Sequence, residues 1–556
     1  MVKIVVAGKS NMINTHDFYG MAYVIQIIFD SRRNILFALP ADRSPWSQSH
    51  NTTVFFQSLQ LFISFILVGK HASYDGSTMI ARNDDSGSGH FTPKKFVVIH
   101  PEEQKRIYRS VLSHVEIELP EHPYQFTAVP NAVAGKGIWA ASGVNEKNVA
   151  MTATETITSN PRVLGADPLV EYQPAEDGKE EVPGGIGEED IVYLVLPYIN
   201  SAREGVLRLG SLLETYGTYE KNGIAFQDQD EIWWLETIGG HHWIAKKVPD
   251  DRYVVMPNQF GMDEFDLEDA FCEQREHLCS ADLREFIEKN HLDLRLDEES
   301  VFCPRDAFGS HTDSDHVYNT PRAWYIERCL NPHTFSWDGA DAEYGPESDD
   351  IPWSLVPEKK LTVEDVKYVL STHYQGTPYD PYSHRGDLSE RGKYRAVGIN
   401  RNDFVAVIQM RPDQPEDSAV IQWLAFASNA FNVLVPFYAR VSGTPEYLSN
   451  TTKEVSTDNF YWNSRLIAAM TDASYGTSIV HVERYQLGVQ SDAYAILHKY
   501  DALMEQAGDG AEREILREDA NREIAEMLKK KTADTLDKVL FELSSQMKNA
   551  FSRSDN

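Results

Sequence analysis

The sequence contains little cysteine, has no excess of basic side chains and lacks a bilayer-spanning apolar run. Its four cysteines among 556 residues are too few for a disulfide framework and show no zinc-type spacing. The 84 acidic residues outnumber the 52 basic ones, which gives a formal net charge of -32. We therefore expect reduced thiols and no zinc site. We also expect no nucleic-acid partner, because phosphate contacts need clustered Lys and Arg.

Membrane association is not expected either. The run from residue 54 to residue 68 contains Gln57 and Gln60 and is shorter than the roughly 20 apolar residues that cross a bilayer. The residues after Met1 show neither the full apolar region nor the cleavage site of a signal peptide. We expect a cytoplasmic protein whose acidity favours solubility.

A β-hairpin is predicted around residue 75. The apolar run Phe62–Val68 predicts a strand, Asp75-Gly76-Ser77 a tight turn and Thr78–Ala81 a second strand. Such a hairpin returns Arg82 and Asp85 toward the beginning of the first strand.

The remaining pattern predicts an α+β fold. An apolar content of 42% is ample for a large core. Strands, then helices, then strands favour a layered α/β/β/α sandwich. The predicted strands are Phe96–Ile99, Phe126–Val129, two within Ile138–Met151, and a hairpin of Glu231–Thr237 with Trp243–Val248; the predicted helices are Asp190 to about Gly217, Glu512–Lys531 and Thr532–Asn549, after a loop at Pro168–Glu189.

Five segments resemble, in order, the bacterial N-terminal-nucleophile cysteine dipeptidases of the dipeptidase A type, relatives of penicillin V acylase and conjugated bile acid hydrolase. These segments are Ile66–Lys70, Ala81–Ser86, Thr152–Thr156, Tyr318–Arg322 and His373–Asp380. The resemblance implies a four-layer αββα sandwich with insertions. It also implies cleavage of dipeptides through a cysteine acyl-enzyme, in which the free α-amine of the nucleophile acts as the base. This mechanism implies no metal or organic cofactor.

The resemblance also divides the chain. Residues 1–60 have no recognised counterpart, residues 61–500 are the expected dipeptidase domain, and residues 501–556 are a C-terminal helical segment, either exposed or in contact with another copy. Residues 1–60 are either an extension removed by self-cleavage or sequence that has replaced the true start. Replacement or degeneration is the favoured explanation. A homo-oligomer is expected.

The expected nucleophile is missing. The family places its cysteine seven residues before the Lys of Val-Gly-Lys, which corresponds to Ile63, or to Phe62 if the strand has one extra residue. Neither side chain attacks a carbonyl. Ser64 is the nearest hydroxyl, at a different register.

Four residues acquire catalytic roles from the resemblance. It implies that Asp85 holds the nucleophile's amine and that Arg82 steadies the thiolate. Asn258 would donate to the oxyanion, and Arg322 would orient catalytic groups or bind a substrate carboxylate. The alternatives are structural ion pairs for the charged residues and a turn for Asn258.

Glu155 is the candidate substrate-binding residue. Its carboxylate would bind the α-ammonium group of a dipeptide; the alternative is a buried ion pair. Two other functions remain open for the whole chain. One is an amide hydrolase of the same fold acting on N-acyl compounds, and the other is an inactive homologue that serves as a binding or structural subunit.

Overall fold

The structure is a computed structural model that describes residues 64–87, 90–176, 178–297, 300–508 and 510–548. The strands are β1 Phe65–Val68, β2 Thr78–Asp85, β3 Val97–Ile99, β4 Ile107–Arg109, β5 Glu116–Glu118, β6 Phe126–Ala128, β7 Ser142–Asn145, β8 Ala150–Thr156, β9 Asn222–Gln227, β10 Ile232–Thr237, β11 Trp243–Lys247, β12 Tyr253–Met256, β13 His277–Cys279, β14 Ser354–Leu355, β15 Asn402–Met410, β16 Val420–Phe426 and β17 Val435–Tyr438.

The helices alternate with groups of strands along the chain. They are α1 Pro161–Ala166, α2 Glu188–Val195, α3 Ala202–Tyr216, α4 Leu267–Phe271, α5 Leu283–Lys289, α6 Pro304–Phe308, α7 Asp315–Tyr318, α8 Thr320–Leu330, α9 Val363–Val369, α10 Glu446–Ser449, α11 Phe460–Ala473, α12 Tyr475–Gln506 and α13 Gly510–Ser545. None of the helices in the described ranges combines the length and apolarity needed to cross a membrane.

The first sheet has seven strands in the order β14-β12-β1-β2-β15-β16-β17, with antiparallel neighbours. The predicted hairpin is present, because β1 and β2 pair from Phe65↔Arg82 to Val68↔Met79. Gly76 has a φ of 81° in its turn, a conformation that favours glycine. Strand β2 continues four residues past the predicted end at Ala81, because β15 pairs along it as far as Asp85.

The second sheet has eight strands in the order β13-β11-β10-β9-β8-β7-β6-β3. The predicted hairpin across Gly239-Gly240 is present as β10 and β11, paired from Trp233↔Lys247 to Thr237↔Trp243. The two strands predicted within Ile138–Met151 correspond to β7 and the beginning of β8. Strands β4 and β5 form a separate two-stranded sheet.

An apolar core joins the two sheets. Phe65, Leu67 and Ile80 of the first sheet belong to one buried cluster with Ala225 and Trp234 of the second. The rings of Phe65 and Trp234 meet edge to face, with their centroids 5.2 Å apart. Two fully buried aromatic side chains therefore hold the start of β1 against the second sheet. This contact fixes the position of the backbone at the start of β1.

Helices cover the other face of each sheet. On the first sheet, Ile66, Val68 and Ala81 pack in one buried cluster with residues of α8, α9, α12 and α13. On the second sheet, Met151 and Phe226 pack with residues of α2 and α3. The arrangement is of the α+β class, with antiparallel sheets and segregated helices.

The predicted helices differ from the structure in several places. The single helix expected from Asp190 to about Gly217 is two helices, α2 and α3, separated by a segment that contains Pro197. Helix α2 begins at Glu188, inside the predicted loop, because three acidic residues occupy its first turn and Gly187 caps it. The C-terminal segment is one helix, α13, where two were predicted. Thr532 continues it, since its hydroxyl donates to the Leu528 carbonyl at 2.7 Å and contacts the Tyr485 hydroxyl of α12. The boundary expected at residue 500 lies inside α12.

Candidate active site

The candidate site begins at Ser64, the residue directly before β1. Its backbone N–H donates to Asn83 Oδ1 at 2.5 Å, and the Asn83 N–H donates to the Ser64 carbonyl at 3.2 Å. Asn83 also donates from its side-chain amide to the Val397 carbonyl at 3.2 Å. The pairing of β1 and β2 thus continues one residue beyond Phe65, and the backbone of Ser64 is held in place.

Arg322 binds the Ser64 side chain. It is buried in the first turn of α8, where Pro321 needs no intrahelical N–H partner. Arg322 Nη1 donates to Ser64 Oγ at 2.7 Å, and Nη2 donates to Asn258 Oδ1 at 2.6 Å and to Asn319 Oδ1 at 2.9 Å. Its rigid guanidinium fork therefore joins helix α8 to the start of β1 and to the loop after β12.

Asn258 lies two residues after the end of β12, the strand that pairs with β1 through Phe65↔Met256. Its Nδ2 donates to the Thr156 carbonyl at 2.9 Å, at the end of β8. Its backbone carbonyl accepts from Asn319 Nδ2 at 3.2 Å. Asn258 therefore connects the two sheets beside Ser64, and the structure brings the predicted residues Asn258 and Arg322 into direct contact.

Asp85 ends β2 and is also buried. Its carboxylate accepts hydrogen bonds from Arg395 Nη2 and from Asn402 Nδ2. Burial raises the pKa of Asp85, while the guanidinium groups of Arg395 and Arg322 act in the opposite direction. Asp85 thus lies in the electrostatic field of the arginine that binds Ser64.

Arg82 makes its contacts on the opposite side of β2 from Asp85. It is directly opposite Phe65 in the β1–β2 pair, and its guanidinium group lies 5.6 Å from the centroid of that ring. Nη2 donates to Asp84 Oδ1 at 2.9 Å and to Glu188 Oε1 at 3.0 Å, and Nη1 donates to the Ala141 carbonyl at 3.1 Å. The side chain of Arg82 therefore lies on the side of the first sheet that faces the second sheet. The side chain of Asp85 lies on the side that helices cover.

A buried lysine, Lys94, forms an ion pair with the same aspartate that Arg82 contacts. Lys94 Nζ is 2.7 Å from Asp84 Oδ2, and both side chains are almost fully buried. Burial opposes the ionisation of Asp84, but Lys94 and Arg82 together hold its pKa below the usual value. Burial raises the pKa of Glu188 despite its contact with Arg82. The end of β2 therefore carries two separate buried charge clusters, one on each face.

Three residues with predicted roles in the site have side chains outside the part of the chain that the structure describes. Phe62 and Ile63, where the nucleophile is expected, are outside the described residues. Glu155 is part of strand β8, but its side chain is likewise outside the described part of the structure.

Three of the four cysteines are poor nucleophiles at neutral pH. All four are free thiols. Burial raises the pKa of Cys279 to about 12 and the pKa values of Cys303 and Cys329 to about 11 each, so that thiolate is scarce at neutral pH. Within the described residues, no group of three or more His, Cys, Asp or Glu is arranged to hold a metal ion.

The sequence did not point to several residues of this region. Asn83 lies between Arg82 and Asp85 in the segment Ala81–Ser86, but the resemblance does not assign a role to it. Arg395 and Asn402 are separated from Asp85 by 310 and 317 residues, and nothing in their local sequence marks them. The sequence gives only a weak indication that Lys94 belongs to this region, since it follows Pro93 soon after the Asp84-Asp85 pair.

Comparison with known proteins gives the same family along most of the chain. The family described as "Peptidase family C69" matches residues 64–488. The match therefore begins at Ser64, the residue held by Asn83 and Arg322.

Several curated bacterial proteins are similar over nearly their whole length. A protein of Bifidobacterium longum named "Dipeptidase" is 55% identical, with 88% of this chain and 99% of that protein aligned. A "Probable dipeptidase A" of Streptococcus pyogenes is 51% identical, with 88% and 99% aligned. A "Probable dipeptidase B" of Lactococcus lactis is 45% identical, with 88% and 97% aligned.

Proposed function

The chain belongs to peptidase family C69, and from this premise we propose that it hydrolyses the peptide bond of dipeptides. The observation that carries the proposal is the extent of the similarity to proteins named dipeptidases. At 55% identity, 99% of the Bifidobacterium protein is aligned with this chain. The buried cluster of Ser64, Asn258 and Arg322 at the start of β1 supports the same function, because it places polar groups where the family resemblance expects the reaction.

We further propose that the fold is the αββα sandwich of N-terminal-nucleophile hydrolases. The shared core between the two sheets and the helices on their outer faces support this. The expected domain division at residues 60 and 500, and the homo-oligomer, stay predictions of the sequence.

The proposed reaction is acyl transfer to an N-terminal cysteine. The thiolate attacks the peptide carbonyl, its own α-amine carries the proton to the leaving amine of the second residue, and water then hydrolyses the thioester. We assign Asp85 to hold the α-amine, Arg82 to steady the thiolate, Asn258 to donate to the oxyanion and Arg322 to orient them. Glu155 is assigned to the α-ammonium group of the substrate. No metal or organic cofactor is required in this scheme.

The position where this scheme needs the cysteine, Ile63 or Phe62, carries an apolar side chain. This residue supports a second candidate function, in which the chain as written binds peptides without cleaving them. An amide hydrolase acting on N-acyl compounds is the third candidate, since it would use the same groups and differ in what binds the substrate amine.

The test compares three proteins on a panel of dipeptides and N-acyl amino acids. They are the full chain, a chain that starts at position 63 with Ile63→Cys, and the same shortened chain with Ile63→Ala as its matched control. We expect dipeptide hydrolysis by the cysteine protein alone, and loss of that activity with iodoacetamide. A folded cysteine protein without hydrolysis would refute the assignment of the nucleophile, and cleavage of N-acyl compounds alone would favour the third candidate.

A further inference from the structure

A cleft of about 460 Å³ lies beside the end of β2. Three carboxylates line it, Asp84, Asp85 and Asp403, and two lysines, Lys94 and Lys136. Phe91, Pro93, Val133 and Trp139 add an apolar wall. Its volume lies within the roughly 300–1,000 Å³ of typical small-ligand sites. Its position next to Asp84 and Asp85 puts it at the candidate active site.

The three carboxylates of the cleft are already engaged inside the protein. Asp84 binds Arg82 and Lys94, and Asp85 binds Arg395. Asp403 accepts from Arg465 at 2.8 Å and from the Tyr461 hydroxyl at 2.6 Å. A ligand group that competed for them would have to break buried ion pairs, which is costly.

The two lysines of the cleft differ. Lys94 is buried, and its ammonium group contacts Asp84 at 2.7 Å and donates to the Trp139 carbonyl at 2.9 Å. Lys136 is exposed, and its ammonium group forms no ion pair or hydrogen bond with the residues that the structure describes. Of these two lysines, Lys136 can therefore bind an anionic ligand without breaking an ion pair inside the protein.

The backbone around Lys136 is constrained. Gly135 and Gly137 flank it with φ values of 75° and 88°. A Cβ atom on Gly137 would lie 2.2 Å from Glu189 Oε2 and 2.4 Å from Trp139 Nε1, so that a larger residue there would require these side chains to move. Trp139 also has a positive φ, 49°, and its indole N–H donates to the Lys136 carbonyl at 2.8 Å. A non-glycine residue with a left-handed backbone, such as Trp139, is found most often at functional sites.

The loop that carries Lys136 is also tied at its ends. The Asn131 N–H donates to the Ile138 carbonyl at 2.8 Å, and the Ala132 N–H donates to the Pro93 carbonyl at 2.7 Å. These bonds join the loop to the segment that supplies Phe91 and Lys94 to the cleft. The ammonium group of Lys136 is thus presented from a fixed turn.

We propose that Lys136 binds the free C-terminal carboxylate of the dipeptide and so selects peptides that end one residue after the cleaved bond. This inference rests on the proposed function. An ammonium group offers three donors to a carboxylate, and the apolar wall of Phe91, Val133 and Trp139 takes the side chain of the second residue. A longer peptide has a neutral amide at that point and gains no such contact.

The test measures binding to the full-length chain by titration calorimetry. The ligands are Ala-N-methyl-Leu, whose methylated peptide bond resists hydrolysis, and its C-terminal amide. The variants are Lys136→Met, Lys136→Arg and, as a matched control, Lys530→Met, an exposed lysine of α13 outside the cleft lining. We expect Lys136→Met to weaken binding of the acid about tenfold or more, with no change for the amide. Lys136→Arg and Lys530→Met should bind the acid nearly as the unmodified chain does.

Equal binding of the acid by the unmodified chain and Lys136→Met would overturn the inference, as would equal affinity of the unmodified chain for acid and amide. Absence of binding of either ligand would overturn it together with the peptide-binding part of the proposed function. Binding that depends on Lys136, with no hydrolysis by the protein that starts at Ile63→Cys, would support the assignment of Lys136 to the carboxylate and refute the assignment of the nucleophile.

Discussion

Arg82 and Asp85, three residues apart in β2, face opposite sides of the first sheet. Arg82 contacts Glu188 and the Phe65 ring between the sheets, whereas Asp85 contacts Arg395 and Asn402 on the side covered by helices. The side chains of a strand alternate between its two faces, so a spacing of three separates them. The two residues therefore belong to separate networks of ion pairs and hydrogen bonds, both located near the start of β1.

The Asp85–Arg395 pair is predicted to be strongly coupled. Both side chains are almost fully buried, so that removal of either partner takes a close opposite charge from the other where water is scarce. We expect Asp85→Asn and Arg395→Met each to lower the free energy of unfolding by about 3–5 kcal/mol. The double variant should lose clearly less than the sum. Urea unfolding of the four proteins measures this, and additive losses would show that the pair is not coupled.

Arg322 is predicted to be a structural anchor of the site. Its replacement by Met removes the donor that serves Ser64, Asn258 and Asn319, and we expect a loss of about 3 kcal/mol or more in the free energy of unfolding. Arg328 of the same helix is the control. Its ion pair with Asp338 is partly exposed, so Arg328→Ala should cost less than about 1 kcal/mol. Similar losses in the two variants would contradict the assignment.

Glu236 is predicted to make stability fall as the pH rises. It is fully buried, and burial raises its pKa from the usual 4.5 to about 7. The folded chain therefore binds this proton more tightly than the unfolded chain. The resulting stabilisation is complete below about pH 4.5 and is lost as the pH rises through about 7.

The size of this contribution is about 3 kcal/mol. Glu236→Gln keeps the acceptor that binds the Gly261 N–H at 2.9 Å, but it removes the titration. Unfolding free energies at several pH values should therefore show a smaller decline between pH 4.5 and 7 for the variant. Parallel profiles for the two proteins would show that Glu236 titrates normally.

Gly137 and Gly135 give a matched test of the turn around Lys136. Both have a positive φ, but a Cβ atom would clash with Glu189 Oε2 at Gly137 and would meet nothing within 4 Å at Gly135. We expect Gly135→Ala to cost about 1 kcal/mol from its backbone conformation alone, and Gly137→Ala to cost clearly more. Thermal unfolding compares them, and equal shifts would show that the side chains of Glu189 and Trp139 both move aside freely.

Much of the fold was predictable because it depends on local patterns. The turn at Asp75-Gly76-Ser77, the apolar strands around it and the hairpin across Gly239-Gly240 are set by residues close in sequence, and all are present. The ends of elements were less predictable. Strand β2 reaches Asp85 because β15 pairs with it, and β15 lies more than 300 residues away.

The sequence by itself determined the family, the α+β class and the hairpin that carries Arg82 and Asp85 to the start of β1. Only the tertiary structure decided the partners of these charges. Arg322 reaches Ser64 across 258 residues, and Arg395 reaches Asp85 across 310. The physical reason is that buried charges must be paired, and the available partners depend on which distant segments the packed core brings together.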